Sequence, residues 1–139
     1  IIQAIVGMWR KIGAEANIEV YEIAKHFELR AEHKLAPAAF YNWGNSIGDP
    51  STSTGFSMFG PSPHSAWKTA VVDAMIGPLW GEKDEAKRIE GYKKVDRYIA
   101  DNGLVIPLFQ YVQPIIYRHG LKVVPHVANY ILPQTITPA

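Results

Sequence analysis

APAAFYNWGNSIGDP, residues 36–50, is the stretch that decides the fold. Its first half, residues 36–43, is compact and apolar, which is typical of a buried strand, and its second half is glycine-rich and polar, which is typical of a loop leaving that strand. The change falls at Trp43, which Gly44 follows at once. Ligands of open α/β proteins bind at the carboxyl ends of strands, so the sequence predicts the functional site in this loop.

The residues of this loop also predict how it turns and where it ends. Gly44 and Gly48 allow the backbone to turn away from the strand without a steric penalty. Asp49-Pro50 is typical of a helix start, because an aspartate accepts hydrogen bonds from the free N–H groups of the next turn and proline suits the first helical position. We therefore expect Trp43 at a strand end and Asp49 as a cap.

The flanking sequence predicts an α/β fold. Apolar residues at helical spacing predict helices over residues 1–12, 24–34, 66–76 and 84–101. Segments with alternating or β-favouring residues predict strands over residues 17–23, 36–43 and 104–111. Ser65 and Asp84 are the expected caps of the last two helices, and Gly77-Pro78 is expected to end or kink the first of these two. Strand, helix and strand in this order indicate a parallel βαβ unit.

Composition excludes several classes of function. The 139 residues carry 14 basic and 13 acidic side chains, scattered along the chain, which gives no electrostatic reason to expect a nucleic-acid partner. The absence of cysteine excludes disulfides and thiol chemistry. The sequence contains no nucleophile-elbow, P-loop or dinucleotide-binding motif. The chain starts without Met and already within a helical pattern, and we expect it to be a piece of a longer protein.

Four motifs, in this order, resemble the closing portion of the solute-binding proteins of peptide- and nickel-type ABC importers, extracellular solute-binding family 5. Residues 8–14 are similar to the family's helix ending L-K-K-I-G-I, and residues 40–44 with 48–50 to its strand ending W-G…D-P. Residues 71–76 with 84–88 resemble E-V-D-A-L-L…D-P-E-K-R, and residues 105–110 resemble V-I-P-L-Y-Q. Together the motifs cover nearly the whole chain.

The resemblance implies the second lobe of a two-lobed, periplasmic-binding-protein-like α/β fold. By this match residues 1–108 would form the α/β lobe, residues 109–118 would cross the hinge, and residues 119–139 would return to a missing first lobe. The protein would be periplasmic or extracellular and associated with the membrane through the transporter. Its partners would be the ABC permease subunits, the N-terminal lobe of the same protein, and a small solute such as a peptide, a metal chelate or a sugar-like molecule.

The resemblance also implies a ligand site without a cofactor or a catalytic residue. Trp43, Gly44, Asn45 and Ser46 would line the cleft between the lobes, and His64 matches the place where nickel-chelate-binding members carry a histidine. Peptide-binding members often have an aspartate in this loop, which pairs with the free amino group of the peptide. Here that place falls on Ser46 or Ile47, so a peptide α-amine is not assured as the ligand.

Each of these residues also has a purely structural interpretation. Trp43 could be a core residue at a strand end, Asn45 and Ser46 are common in any turn, and His64 could be an exposed loop histidine. Two other functions stay open. The chain could be a small α/β interaction domain that docks a protein partner through aromatics around Phe56 and Phe59, or a hydrolase with its site at the Trp43 loop.

Overall fold

A computed structural model describes residues 1–35, 37–112, 114–126 and 130–139 of the chain. Over these residues the protein forms five α-helices, which are α1 (Ile2–Arg10), α2 (Ile23–Ala31), α3 (Thr54–Met58), α4 (Ala70–Ile76) and α5 (Glu85–Asp101). A two-stranded antiparallel sheet, β1 (Leu121–Val123) with β2 (Ile136–Pro138), follows near the C-terminus. Short 3₁₀ helices lie at Pro50–Thr52, Gly77–Trp80 and Pro133–Thr135. None of the helices in these ranges is long and apolar enough to cross a bilayer.

The core is built on α5, as its apolar spacing predicts. Tyr92, Val95 and Ile99 of this helix are buried against Met58, Val72 and Ile76. The predicted cap is confirmed, because the Asp84 side chain accepts a hydrogen bond from the Lys87 N–H at 3.1 Å. The predicted end is confirmed as well, since α5 stops at Asp101 and Gly103 takes a positive φ of 62°.

Two close contacts attach the loop between residues 53 and 69 to this core. A Cβ on Gly55 would lie 2.7 Å from the Tyr92 hydroxyl, so only glycine lets α3 approach α5 this closely. The Gly60 N–H donates to the Asp73 carboxylate on α4 at 2.6 Å. Burial raises the pKa of Tyr92 to about 12. The contacts of Gly55 with α5 and of Gly60 with α4 therefore fix the loop that carries Phe56 and His64.

The start of α4 differs from the prediction, whereas its end agrees. The helix begins at Ala70 rather than at residue 66, because Ser65 forms a local turn in which its hydroxyl accepts from the Trp67 N–H and donates to the Trp67 carbonyl. A side chain used in such a turn stabilises a non-helical backbone. The helix ends at Ile76 and a 3₁₀ turn follows at Gly77–Trp80, as Gly77-Pro78 predicts.

The strands predicted over residues 17–23, 36–43 and 104–111 are wrong for the residues that the structure describes, and so is the parallel βαβ unit. Residues 17–22, 37–43 and 104–111 form neither helix nor strand, Ile23 already belongs to α2, and Ala36 lies outside the described residues. A strand forms only where a second strand accepts and donates its backbone hydrogen bonds. The only such pairing in the described ranges joins β1 and β2.

The C-terminal segment forms a small hairpin of its own. Leu121 pairs with Pro138 and Val123 with Ile136 in antiparallel register. Every residue of the two strands is exposed except Val123, which is half-buried. Residues 127–129 of the predicted returning segment lie outside the described residues.

The neighbouring valines of α4 provide a matched test of this core. Val72 is 1% exposed and belongs to the buried cluster, whereas Val71 is 50% exposed. Val72→Ala leaves a cavity and should lower the free energy of unfolding by about 2 kcal/mol. Val71→Ala should change it by less than about 0.5 kcal/mol, since the side chain is solvated and alanine favours helix. Urea denaturation compares the two variants, and equal destabilisation would contradict the placement of α4.

Candidate functional site

One ion pair holds the predicted loop on α5. The Asp49 Oδ2 accepts hydrogen bonds from the Arg88 Nη2 at 2.7 Å and the Arg88 Nε at 3.1 Å, and its Oδ1 accepts from the Ser51 N–H at 2.9 Å. Arg88 also donates to the Glu82 carbonyl at 3.1 Å. The Arg88 guanidinium, followed by the Ser51 hydrogen bonds, lowers the pKa of Asp49 to about 2. The predicted cap is confirmed, and the contact with Arg88 is the part that sequence reasoning missed.

A second set of hydrogen bonds closes the loop on itself. The Trp43 indole N–H donates to the Thr52 carbonyl at 2.6 Å. The Thr52 hydroxyl lies 2.9 Å from both the Asn45 side-chain oxygen and the Asp49 carbonyl oxygen. Thr54 donates to Asp96 of α5 at 2.7 Å. The position of Trp43 is therefore set by the turn that Asp49 begins.

Most of the predicted site residues meet at one open cavity of about 560 Å³. Its lining includes the predicted residues Trp43, Gly44, Ser46 and His64. Three further lining residues, Asn42, Thr52 and Phe56, are not predicted from the sequence to bind a ligand. Asn45 is not among the lining residues, and its side chain binds Thr52 instead. His64 reaches the cavity because its ring lies beside two aromatic rings, with centroids 5.5 Å from Trp43 and 5.7 Å from Phe56.

The aromatic side chains that suggested a docking surface pack largely against other residues of the same chain. Phe56 packs edge-to-face on Trp80, with centroids 5.2 Å apart, and Phe59 lies 6.2 Å from the same ring. Both phenylalanines are half-buried. The Phe56 ring thus connects the cavity wall to the 3₁₀ turn after α4, which gives the cavity a rigid aromatic side.

Arg30 of α2 lies behind this wall. It is 7% exposed, and its guanidinium carbon is 4.8 Å from the Phe27 ring and 5.7 Å from the Trp43 ring. The Arg30 Nη2 is 3.4 Å from the Nδ1 of His64. In the sequence Arg30 is one basic residue of a charged amphipathic helix, and no local pattern distinguishes a buried arginine there from an exposed one.

The lining residues define what the cavity can do. It presents two large aromatic rings, one imidazole, and neutral amide and hydroxyl groups, and none of the described residues that line it carries a carboxylate. Within the described ranges no three His, Asp or Glu side chains come together as a metal site. Such a surface suits binding by stacking and hydrogen bonding. No family model, curated protein or solved structure matches this chain.

The Asp49–Arg88 pair predicts a pH dependence of stability. Because the pKa of Asp49 is lowered from 3.8 to about 2, its stabilisation is complete above pH 3.8 and is lost as the pH falls toward 2. Asp49→Asn should lower the free energy of unfolding by about 1 kcal/mol at neutral pH. The difference from wild type should shrink through this acid window in urea titrations. Asp101→Asn, which removes an exposed carboxylate of α5, is the control; a loss independent of pH would contradict the ion pair.

Proposed function

We propose that this chain is the C-terminal portion of the solute-binding component of a peptide- or nickel-type ABC importer. It binds a small solute in a cleft, closes around it with a first lobe and delivers it to the membrane permease. It carries out no reaction on the solute. The protein works outside the cytoplasmic membrane, in the periplasm or at the cell surface.

The cavity at Trp43 is the observation that carries this proposal. Three of the four loop residues that the resemblance assigns to the ligand site, Trp43, Gly44 and Ser46, line one cavity with His64, which lies 18 or more positions further along the sequence. The ion pair between Asp49 and Arg88 supports the resemblance independently, since it joins the W-G…D-P motif to the D-P-E-K-R motif.

Exposed apolar side chains after α5 support a second body packed against this one. Leu104 and Val105 pack against the core, but the described residues from 106 to 112 do not. Val112 and Ile116 are 89% and 94% exposed, and four more large apolar side chains between them and the core are exposed, namely Ile106, Leu108, Phe109 and Tyr111. An apolar surface of this extent is typical of an interface. In the proposal residues 109–118 of this segment cross the hinge, and the first lobe covers the exposed apolar side chains.

The lining chemistry restricts the solute. The wall is aromatic and the remaining groups are neutral, so the ring of Trp43 stacks on an apolar part of the solute and Ser46 offers a hydroxyl. In the part of the chain that the structure describes, no carboxylate lines the cavity to pair with a free amine, and the Asp49 carboxylate of the loop pairs with Arg88. If the solute is a peptide, its α-amine is therefore bound by the first lobe or is not bound at all.

Removing the Trp43 ring tests the proposal in the full-length protein that contains these residues. Trp43→Ala should weaken the binding of tri- to pentaalanine by about 1–3 kcal/mol, because an aromatic anchor of the cleft is lost. Trp43→Phe should bind with intermediate affinity, and Trp9→Ala, which removes the same ring outside the cavity, should bind like wild type. Calorimetry measures the affinities, and circular dichroism checks that each variant is folded.

Two outcomes contradict the proposal. The first is wild-type affinity in a folded Trp43→Ala variant, which would make Trp43 a structural residue. The second is the absence of binding to any peptide, metal chelate or oligosaccharide by the wild-type protein.

A further inference from the structure

Arg30 is a buried cation with no carboxylate partner in the part of the chain that the structure describes. It is only 7% exposed, and its Nε has no hydrogen-bond partner. Its contacts are the faces of Phe27 and Trp43 and one nitrogen of His64. Arginine is rarely buried unless an anion pairs with it, because the charge loses its hydration.

The acidic side chains of α2, of the turn after it and of the Trp43 loop form ion pairs with other cations. On α2, Glu28 pairs with Lys25 at 2.6 Å, and just beyond it Glu32 pairs with Lys34 at 2.9 Å. In the loop, the Asp49 carboxylate binds Arg88. The charge of Arg30 is therefore met only by the rings of Phe27 and Trp43 and by the His64 nitrogen, which are weaker partners than a carboxylate.

The contact with His64 links the Arg30 guanidinium to a residue that lines the cavity. A guanidinium has donors and no acceptor, so the Nδ1 of His64 accepts the hydrogen bond from Arg30. The neutral imidazole then carries its proton on Nε2. His64 lines the cavity together with Ser46 and Thr52, and only its Nδ1 is bound to Arg30, so the Nε2–H is the remaining donor of this ring.

We infer that the cavity is an anion subsite, in which a carboxylate of the solute accepts a hydrogen bond from the Nε2–H of His64 and is attracted by the Arg30 charge behind it. Arg30 is a positioning residue, since it acts through His64. The inference deepens the proposed function, on which it rests, by naming the solute class as carboxylate-bearing. A peptide with a free carboxyl end and a carboxylate chelate both have this chemistry.

The uncommitted charge explains why an anion should be preferred over a neutral group of the same shape. Acetate and acetamide are nearly equal in size and both carry an acceptor oxygen. Only acetate gains from a cation in a partly dehydrated wall, where charges interact more strongly than in water. The preference should disappear when the charge of Arg30 is removed.

Titration of the 139-residue chain with acetate, followed by NMR of the His64 ring and the Arg30 Nε–H, tests the inference. We expect saturable shifts of both groups, with half-saturation on the order of 10 mM, and an affinity about tenfold weaker for acetamide at the same ionic strength. Arg30→Met should lower the acetate affinity about tenfold, and Arg30→Lys should retain part of it. Arg97→Met, which removes an exposed arginine of α5, should leave it unchanged.

Three results would overturn the inference. Absence of a saturable shift with acetate in wild type, equal binding of acetamide, or equal loss in Arg30→Met and Arg97→Met would each show that Arg30 does not create an anion subsite. If Arg30→Met fails to fold, the wild-type comparison of acetate with acetamide decides alone. The proposed function is judged separately by the Trp43 variants, since a cleft that binds oligoalanine by stacking on Trp43, with no contribution from Arg30, would pass that test and fail this one.

Discussion

The rest of the site depends on the bidentate contact between Asp49 and Arg88. It joins a loop to a helix that begins 36 residues later, at Glu85, and it is largely shielded, with 18% and 20% of the two side chains exposed. A charge-assisted pair of this geometry fixes direction as well as distance. Once Asp49 is fixed, the turn at Pro50–Thr52 follows, Thr52 accepts the indole N–H of Trp43, and the Trp43 ring stands at the cavity.

A cavity wall made in this way suits recognition more than catalysis. Trp43, Phe56 and His64 supply flat surfaces held by neighbours, which keeps the entropic cost of ordering them on binding low. The charge behind the wall belongs to Arg30, and the groups that face the cavity itself are neutral. In the inferred anion subsite, this combination would let an aromatic surface distinguish ionised from neutral solutes while the cation stays shielded from water.

Local signals in the sequence predict local structure well, and non-local pairings poorly. The caps at Asp49 and Asp84 and the break at Gly77-Pro78 are correct, because each depends on residues within one turn. The strand predicted over residues 36–43 is wrong for residues 37–43, because a strand needs a partner elsewhere in the chain and an apolar composition does not supply one.

The candidate site shows the same division. The loop after Trp43 could be selected from a strand-like segment that ends in glycine, even though residues 37–43 form no strand, whereas its individual site residues and His64 came from the resemblance. Arg30 could not be predicted, because burial of a charged helical residue is decided by what packs over it. The same holds for the pairing of Asp49 with Arg88.

The most direct test of whether the Asp49–Arg88 ion pair holds the cavity wall in place is to measure the contact between the Trp43 and His64 rings. Their centroids are 5.5 Å apart, so nuclear Overhauser effects between the two rings should be observed in the wild-type chain. In Arg88→Met these effects should weaken or vanish, while those within the core cluster of Val72, Tyr92 and Val95 persist. Equal intensities in wild type and variant would contradict the account, because the loop would then hold its position without Arg88.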